Sequence, residues 1–372
     1  MKNTVGFIGW RGIVGSVLLQ RMIEERNFSK INAVFFSTSQ IGTVCPNISD
    51  VCTHNLRDAY NLKELQKMDI IVSCQGTEYT NTVYYKLRNT GWLGYWIDAS
   101  SSLRMNDDAI IVLDPINYKY IEQSIQNGTK TFVGGNCTVS LMLMALGGLF
   151  CNNMVEYITF STYQAASGAG SKHMIELLQQ MGYLYNSVYH DLKNSKISIL
   201  DIEKRISNIS KNSEFPKQQF LAPLAGNILP WIDSLMPNMQ TKEEWKVQSE
   251  ANKILNCNSI IPMDGTCVRV STFRCHSQSF IIKLKKHLSY FNIVDCIQQH
   301  NSWVNIIPND FDSTINLLTP NAITGTLNIA VGRIRKLLSI GQKFLSVFTV
   351  GDQLLWGAAE PIRRMLMILN KK

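Results

Sequence analysis

A strand, a glycine turn and a helix follow one another at the start of the chain, and this order restricts the fold more than any other feature. VGFIG (5–9) is a short apolar run. WRGIVGSVLLQRMIEER (10–26) then carries Val14, Val17, Leu18, Met22 and Ile23 at helical spacing. The junction reads Gly9-x-x-Gly12-x-x-Gly15. Glycines at such a junction let backbone approach a pyrophosphate seated on the helix N-terminus. The spacing is not G-x-G-x-x-G, so the motif by itself also fits a plain tight turn.

The pattern continues. NAVFF (32–36) is a second strand, followed by Ser37-Thr38-Ser39. DIIVSCQG (69–76) and YWIDASSSLR (95–104) are two more, ending in Gln75-Gly76 and in a polar turn with Ser100 and Arg104. Strands alternating with helices predict a Rossmann-like, doubly wound parallel sheet that binds ligands at the carboxyl ends of its strands. An NAD site usually places Asp or Glu after the second strand. Here hydroxyls stand there, with Arg11 in the glycine turn as a cation, which favours a 2′-phosphate and so NADP. The same serines also suit the start of a loop. Arg104 is either a surface cation or a phosphate clamp.

GGNCTVSLMLMALGGLF (134–150) sets Cys137 between two glycines, an asparagine and a long apolar run. A cysteine at a helix N-terminus is expected to have a lowered pKa, because the amides there favour the thiolate. That marks Cys137 as a candidate nucleophile, whereas Cys45, Cys74, Cys151, Cys267 and Cys296 read as small buried side chains. The nine cysteines form no C-x-x-C pair and the six histidines are dispersed. The expectation is a reduced, cytosolic chain with no disulfide framework and no metal site.

At 372 residues, two domains are expected. The apolar fraction of 45% supports sizeable cores, and the charged fraction of 17% argues against disorder. The net charge of +8 is spread through Asn-, Ile- and Ser-rich surroundings with no basic stripe, so no nucleic-acid partner is expected. The apolar run after Cys137 is too short for a membrane span, and no leader peptide is expected.

FIGWRGIVGSVL, FFSTSQIG, GGNCTVSLMLMALGGLF, TYQAASGAG, EEWK, CVRVSTFRCHSQ and FTVGDQLLWGAAEPIRRML together resemble the bacterial aspartate-β-semialdehyde dehydrogenase family, nearly end to end and with the proteobacterial enzymes in particular. The resemblance implies reversible, NADPH-dependent reductive dephosphorylation of L-aspartyl-4-phosphate to L-aspartate-4-semialdehyde by a homodimer. This step leads toward lysine, methionine, threonine and isoleucine. It implies Cys137 as the acyl-thioester nucleophile, His276 as general base and Gln164 as the residue orienting the intermediate and touching substrate. It further implies Arg269 on the α-carboxylate, Glu243 on the ammonium, and Arg104, Asn136 and Lys246 on phosphate. Gly9, Arg11, Gly12, Ile13, Val14, Thr38, Ser39, Gln75, Ser167, Gly168 and Gln353 are the implied cofactor contacts. Without the resemblance, His276 reads as a core or surface histidine, and Glu243 and Lys246, three apart on a helix, as a solvent ion pair. Ser195 stands where some relatives carry a cofactor-packing proline.

The expected division is residues 1–135 with 355–372 as the NADP-binding domain, and 136–354 as an α+β catalytic and dimerisation domain with a mixed sheet. Residues 183–245 read as a less regular excursion. Rival readings are an N-acetyl-glutamyl-phosphate reductase, a non-catalytic NADP-binding regulator and a cysteine hydrolase.

Overall fold

The computed structural model describes residues 2–45, 55–257 and 259–371. Seven strands form the first sheet: β1 (Thr4–Ile8), β2 (Asn32–Ser37), β3 (Arg57–Asp58), β4 (Ile70–Ser73), β5 (Tyr95–Asp98), β6 (Ala109–Val112) and β7 (Thr131–Gly134). Their order is β3-β2-β1-β4-β5-β7-β6 and every pairing is parallel. IIVS, AIIV and TFVG are buried throughout, as strands covered on both faces must be. The strand order reverses between β1 and β4, which opens the ligand crevice of a doubly wound sheet beyond their carboxyl ends.

The glycine turn fills that crevice closely. Gly9 has φ +74°, and a Cβ on it would lie 2.4 Å from the backbone nitrogen of Gln75. A Cβ on Gly15 would lie 2.3 Å from the Gly9 carbonyl oxygen. These two positions admit glycine for steric reasons, and the Ile13–Glu24 helix can therefore start directly above the sheet edge.

A second seven-stranded sheet is mixed. It comprises β8 (Val155–Gln164), β9 (Ile228–Leu229), β10 (Met263–Val270), β11 (Cys275–Leu284), β12 (Val304–Ile306), β13 (Ile329–Lys336) and β14 (Phe344–Asp352), in the order β12-β13-β14-β11-β8-β10-β9. The Cys137–Cys151 helix joins the two sheets. Thr138 to Phe150 are all buried, as expected for a helix apolar on every side. Its Leu141, Leu143 and Leu146 belong to one core that also takes in Ile71 and Val133 of the first sheet and Phe160, Ile282 and Val347 of the second. The other face of the first sheet is covered by the C-terminal Glu360–Leu369 helix, whose Ile362, Met365, Leu366 and Leu369 pack with Phe7, Ile97 and Phe132.

Three details differ from expectation. Residues 183–245 contain a 13-residue helix, Ile199–Lys211, capped by the Ser198 side chain. It buries Ile202 while Ile199 and Leu200 stay exposed, so its apolar residues do not read as a core-facing stripe. Cys45 takes part in a disulfide, contrary to the expected absence of disulfides. Cys267 is buried as anticipated, but Cys74 and Cys296 are only half-buried and Cys151 is exposed, because it ends its helix at the surface. Among the described residues no helix is long and apolar enough to cross a membrane.

Ile362 is fully buried, with its Cδ1 facing Gly134 at the end of β7. Ile362→Ala is expected to destabilise the protein by roughly 2–5 kcal/mol, through lost transfer free energy plus a cavity. Urea unfolding of wild type and variant measures this.

Candidate active site

Strand register aligns three polar side chains. Arg269 of β10 pairs with Gln164 of β8, and on the other side Ser277 of β11 pairs with Tyr163, which sets His276 beside Gln164. Directly paired residues project to the same face of a sheet. Arg269, Gln164 and His276 thus form one row near the end of β8, and all three are buried.

The helix carrying Cys137 points its start at this row. Asn136 is the N-cap. Its Oδ1 accepts from the amides of Thr138 and Val139 at 2.9 and 3.3 Å. Cys137 Sγ lies 3.2 Å from His276 Nε2. On the far side of the imidazole, Nδ1 accepts from the Ala165 amide at 3.0 Å. An Nδ1 that accepts leaves the proton of the neutral ring on Nε2, facing the sulfur. Burial, reinforced by the Arg269 charge, pushes the His276 pKa down to about 3, so the ring is neutral.

A third element supplies charge. The Lys242–Leu255 helix begins with a capping box made by Thr241 and Glu244. It presents Glu243, Lys246 and Glu250 on one face, at i, i+3 and i+7. Spacing alone suggested that Glu243 and Lys246 are a solvent pair, but both are buried. Glu243 Oε1 accepts from Asn136 Nδ2 at 3.0 Å and from Gln164 Nε2 at 3.1 Å. Lys246 Nζ lies 3.1 Å from Glu243 and 2.7 Å from Asp233. Burial would raise the Glu243 carboxyl, but Lys246 and the two amide donors outweigh it and hold the pKa below the usual range. Burial would likewise lower the Lys246 ammonium, but Glu243 and Asp233 keep it above its ordinary value.

Arg104 comes from the turn after β5. It donates through Nε to the Gly134 carbonyl at 2.7 Å and through Nη1 to Glu250 at 3.1 Å. The other Glu250 oxygen accepts from the Asn136 amide at 2.7 Å. Glu250 and Asp233 were not singled out in the sequence. Glu250 was legible as the next member of the Glu243–Lys246 face, whereas Asp233 sits in a loop with no periodicity.

Val14, Arg104, Asn136, Cys137, Gln164, Gly168, Glu243, Lys246, Arg269 and Gln353 line one cavity of about 390 Å³. Gln164 Oε1 is buried there without a hydrogen-bond partner among the described residues. Ser167 Oγ donates to Gln353 Oε1 at 2.8 Å and so ties these two expected cofactor contacts together. A second cavity, of about 350 Å³, is lined by Gly9, Arg11, Gly12, Ser37, Thr38, Ser39 and Gln75. Arg11 donates to Ser39 Oγ at 2.9 Å, and among the described residues no carboxylate lines this cavity, so its residues fit a nucleotide with a 2′-phosphate. Ile13 opens the helix between the two cavities. Ser195 lies apart from both, in an exposed turn.

One expectation fails. The Cys137 thiol is not lowered. Burial, with the Glu243 carboxylate adding to it, pushes it up to about 12 against the opposing pull of Arg269, Arg104 and Lys246. Two of the helix amides that were to stabilise a thiolate are already bonded to the Asn136 side chain.

Residues 4–124 match the semialdehyde dehydrogenase NAD binding domain, and residues 146–356 match the semialdehyde dehydrogenase dimerisation domain. The chain is 49% identical to the aspartate semialdehyde dehydrogenase from Francisella tularensis, over 99% of this chain and 100% of that one, with a TM-score of 0.94. The fold is shared with aspartate semialdehyde dehydrogenase II from Vibrio cholerae, solved with ASA, at 22% identity over 100% and 99% of the two chains and a TM-score of 0.78. It is also shared with the NADP-bound enzyme from Candida albicans, at 14% identity over 99% and 98% and a TM-score of 0.67. The cysteine–histidine pair, the charged helix face and the glycine-turn crevice thus sit in a chain that belongs to the aspartate semialdehyde dehydrogenase family.

Proposed function

We propose that the protein reduces L-aspartyl-4-phosphate to L-aspartate-4-semialdehyde and phosphate, reversibly and with NADPH, through a thioester on Cys137. The observation that carries this reading is the Cys137–His276 contact of 3.2 Å, with Cys137 lining the same cavity as Arg269, Glu243, Arg104 and Lys246 and His276 buried behind it. The substrate carries a carboxylate, an ammonium and a phosphate, and the cavity offers a partner for each. Arg269 suits the planar carboxylate. Glu243 and the unpartnered Gln164 Oε1 suit the ammonium. Arg104, Lys246 and Asn136 suit the phosphate. An N-acetylated substrate would present no ammonium and leave the Glu243 charge without its counterpart.

Cys137 gives its proton to His276 Nε2, its sulfur attacks the acyl carbon, and the carbon–oxygen bond to phosphate breaks, leaving a thioester and free phosphate. NADPH, when bound, would supply hydride to the thioester carbon, and the carbon–sulfur bond then breaks to release the aldehyde and return the sulfur to Cys137. Arg11, Thr38 and Ser39 would hold the 2′-phosphate, Gly9, Gly12, Ile13, Val14 and Gln75 the pyrophosphate crevice, and Ser167, Gly168 and Gln353 the nicotinamide end. Gln164 orients the acyl group. His276 handles the proton at sulfur and at the substrate oxygen. Its Nε2–H form donates to developing negative charge. Acting as the expected base requires the proton on Nδ1, which breaks the Ala165 bond and leaves a buried amide unsatisfied, at a cost of about 1–3 kcal/mol. As bonded here the ring is a donor, and accepting the thiol proton requires that change of tautomer. The division into residues 1–135 with 355–372 and residues 136–354, and a homodimer built on the second sheet, complete the proposal.

Without substrate, burial and the Glu243 carboxylate hold the thiol protonated, and an ammonium beside Glu243 would cancel the carboxylate field that adds to burial. At pH 8 a thiol at about 12 is ionised in roughly one molecule in 10⁴. Alkylation of Cys137 in the unliganded protein, followed on its own peptide, should rise about tenfold per pH unit from 8 to 10. Glu243→Gln should speed it at every pH in that range. A rate that levels off below pH 8 would mean that the sulfur is ionised without substrate.

Phosphate-dependent reduction of NADP with aspartate semialdehyde tests the activity itself. Cys137→Ser should lose on the order of 10³-fold or more in kcat while still binding NADP, and N-acetyl-glutamate semialdehyde should be a poor substrate. Comparable turnover by the serine variant would remove the thioester from the mechanism.

A further inference from the structure

Each cation in the catalytic cavity already has a partner. Arg104 has Glu250 and the Gly134 carbonyl. Arg269 donates to the Ala165 carbonyl at 2.7 Å. Lys246 has Glu243 and Asp233. Three cations therefore face three carboxylates, and the cluster is formally neutral. An entering phosphate brings close to two negative charges at neutral pH. A neutral cluster holds such a dianion poorly unless one of its carboxylates gives way.

The three carboxylates differ in how firmly they are held. Glu250 is 2% exposed and bonds both Arg104 and the Asn136 amide. Glu243 is 6% exposed and is held by Asn136, Gln164 and Lys246. The Asp233 side chain is 34% exposed, at the cavity mouth. Lys246 is its one salt-bridge partner among the described residues, and its other oxygen accepts from the Ser234 amide, next in the chain. Asp233 sits in the loop between β9 and the Lys242–Leu255 helix, in the left-handed region at φ +72°. A part-exposed pair of this kind is weak, because water solvates the carboxylate nearly as well once it swings out.

We propose that Asp233 is an exchangeable counter-ion. It pairs with Lys246, gives the lysine up to the substrate phosphate, and so sets the affinity for phosphate. The proposal rests on the reading of Lys246 as a phosphate ligand, and the experiment separates the two.

Inorganic phosphate is titrated calorimetrically into the unliganded full chain, and the KM for phosphate is measured in the direction that reduces NADP. Asp233→Asn, close in shape but uncharged, should tighten phosphate three- to tenfold in both measurements, with the KM for NADP as control. Asp233→Glu, which restores the charge, should return the affinity toward wild type. Lys246→Ala should weaken phosphate at least tenfold. If Lys246→Ala weakens binding while Asp233→Asn leaves it unchanged or weakens it too, the counter-ion role is overturned and the phosphate reading stands. If Lys246→Ala changes nothing, both fall.

Discussion

The site depends on the hydrogen bonds of Asn136. Its Oδ1 closes the first turn of the helix that carries Cys137, its Nδ2 reaches Glu243, and its amide reaches Glu250. One side chain and its backbone thereby fix the start of a core helix, the carboxylate facing the thiol and the carboxylate that holds Arg104. Capping bonds of this kind are worth about 1 kcal/mol each, little beside the burial of the apolar helix behind them. Their importance is geometric. A helix start that frayed by one residue would move the sulfur away from the imidazole.

The same bonds leave the charges around the thiol balanced against one another. Helix N-termini favour anions because their first amides lack partners. Here the cap has used two of those amides, and the nearest carboxylate opposes ionisation of the thiol. The cations that could offset this are themselves paired. On the proposed reading, reactivity in such a site would come from the ligand: an ammonium would neutralise one carboxylate and a phosphate would displace another, freeing the cations to act on the reacting atoms. A site of this design limits stray alkylation or oxidation of its nucleophile when no substrate is present.

Much of this was legible beforehand. The strand–glycine–helix order predicts the parallel sheet, because period and turn chemistry are local properties. Cys137 is singled out by its place at a helix start, whereas His276, Arg269 and Gln164 come from motif resemblance alone; no local rule links a cysteine to a histidine 139 positions away. What spacing misjudged was burial. Glu243 and Lys246 carry the signature of a solvent pair, and only the packing of a second sheet against their helix face reverses it. The thiol pKa was misjudged because a helix N-terminus is legible in sequence, while the spending of its amides on a cap and the field of Glu243 are tertiary facts. Asp233 was invisible because a loop residue in a left-handed conformation carries no periodic signal.

Both sheets contribute to the cavity, so their relative orientation has to be held. Apolar contact through the shared core supplies most of the binding between them but little angular precision, since such contacts are non-directional. The Arg104–Glu250 pair is directional. Arg104 follows a strand of the first sheet, Glu250 lies on a helix packed against the second, and their side chains are 10% and 2% exposed. A buried pair of this kind gains little net stability, because desolvation of both charges offsets their attraction. An apolar replacement of equal volume could fold as well and still lose the phosphate pocket, because nothing would then aim the guanidinium. The pair is best understood as alignment between two sheets, obtained at small energetic gain, at the place where the reaction needs a fixed positive charge.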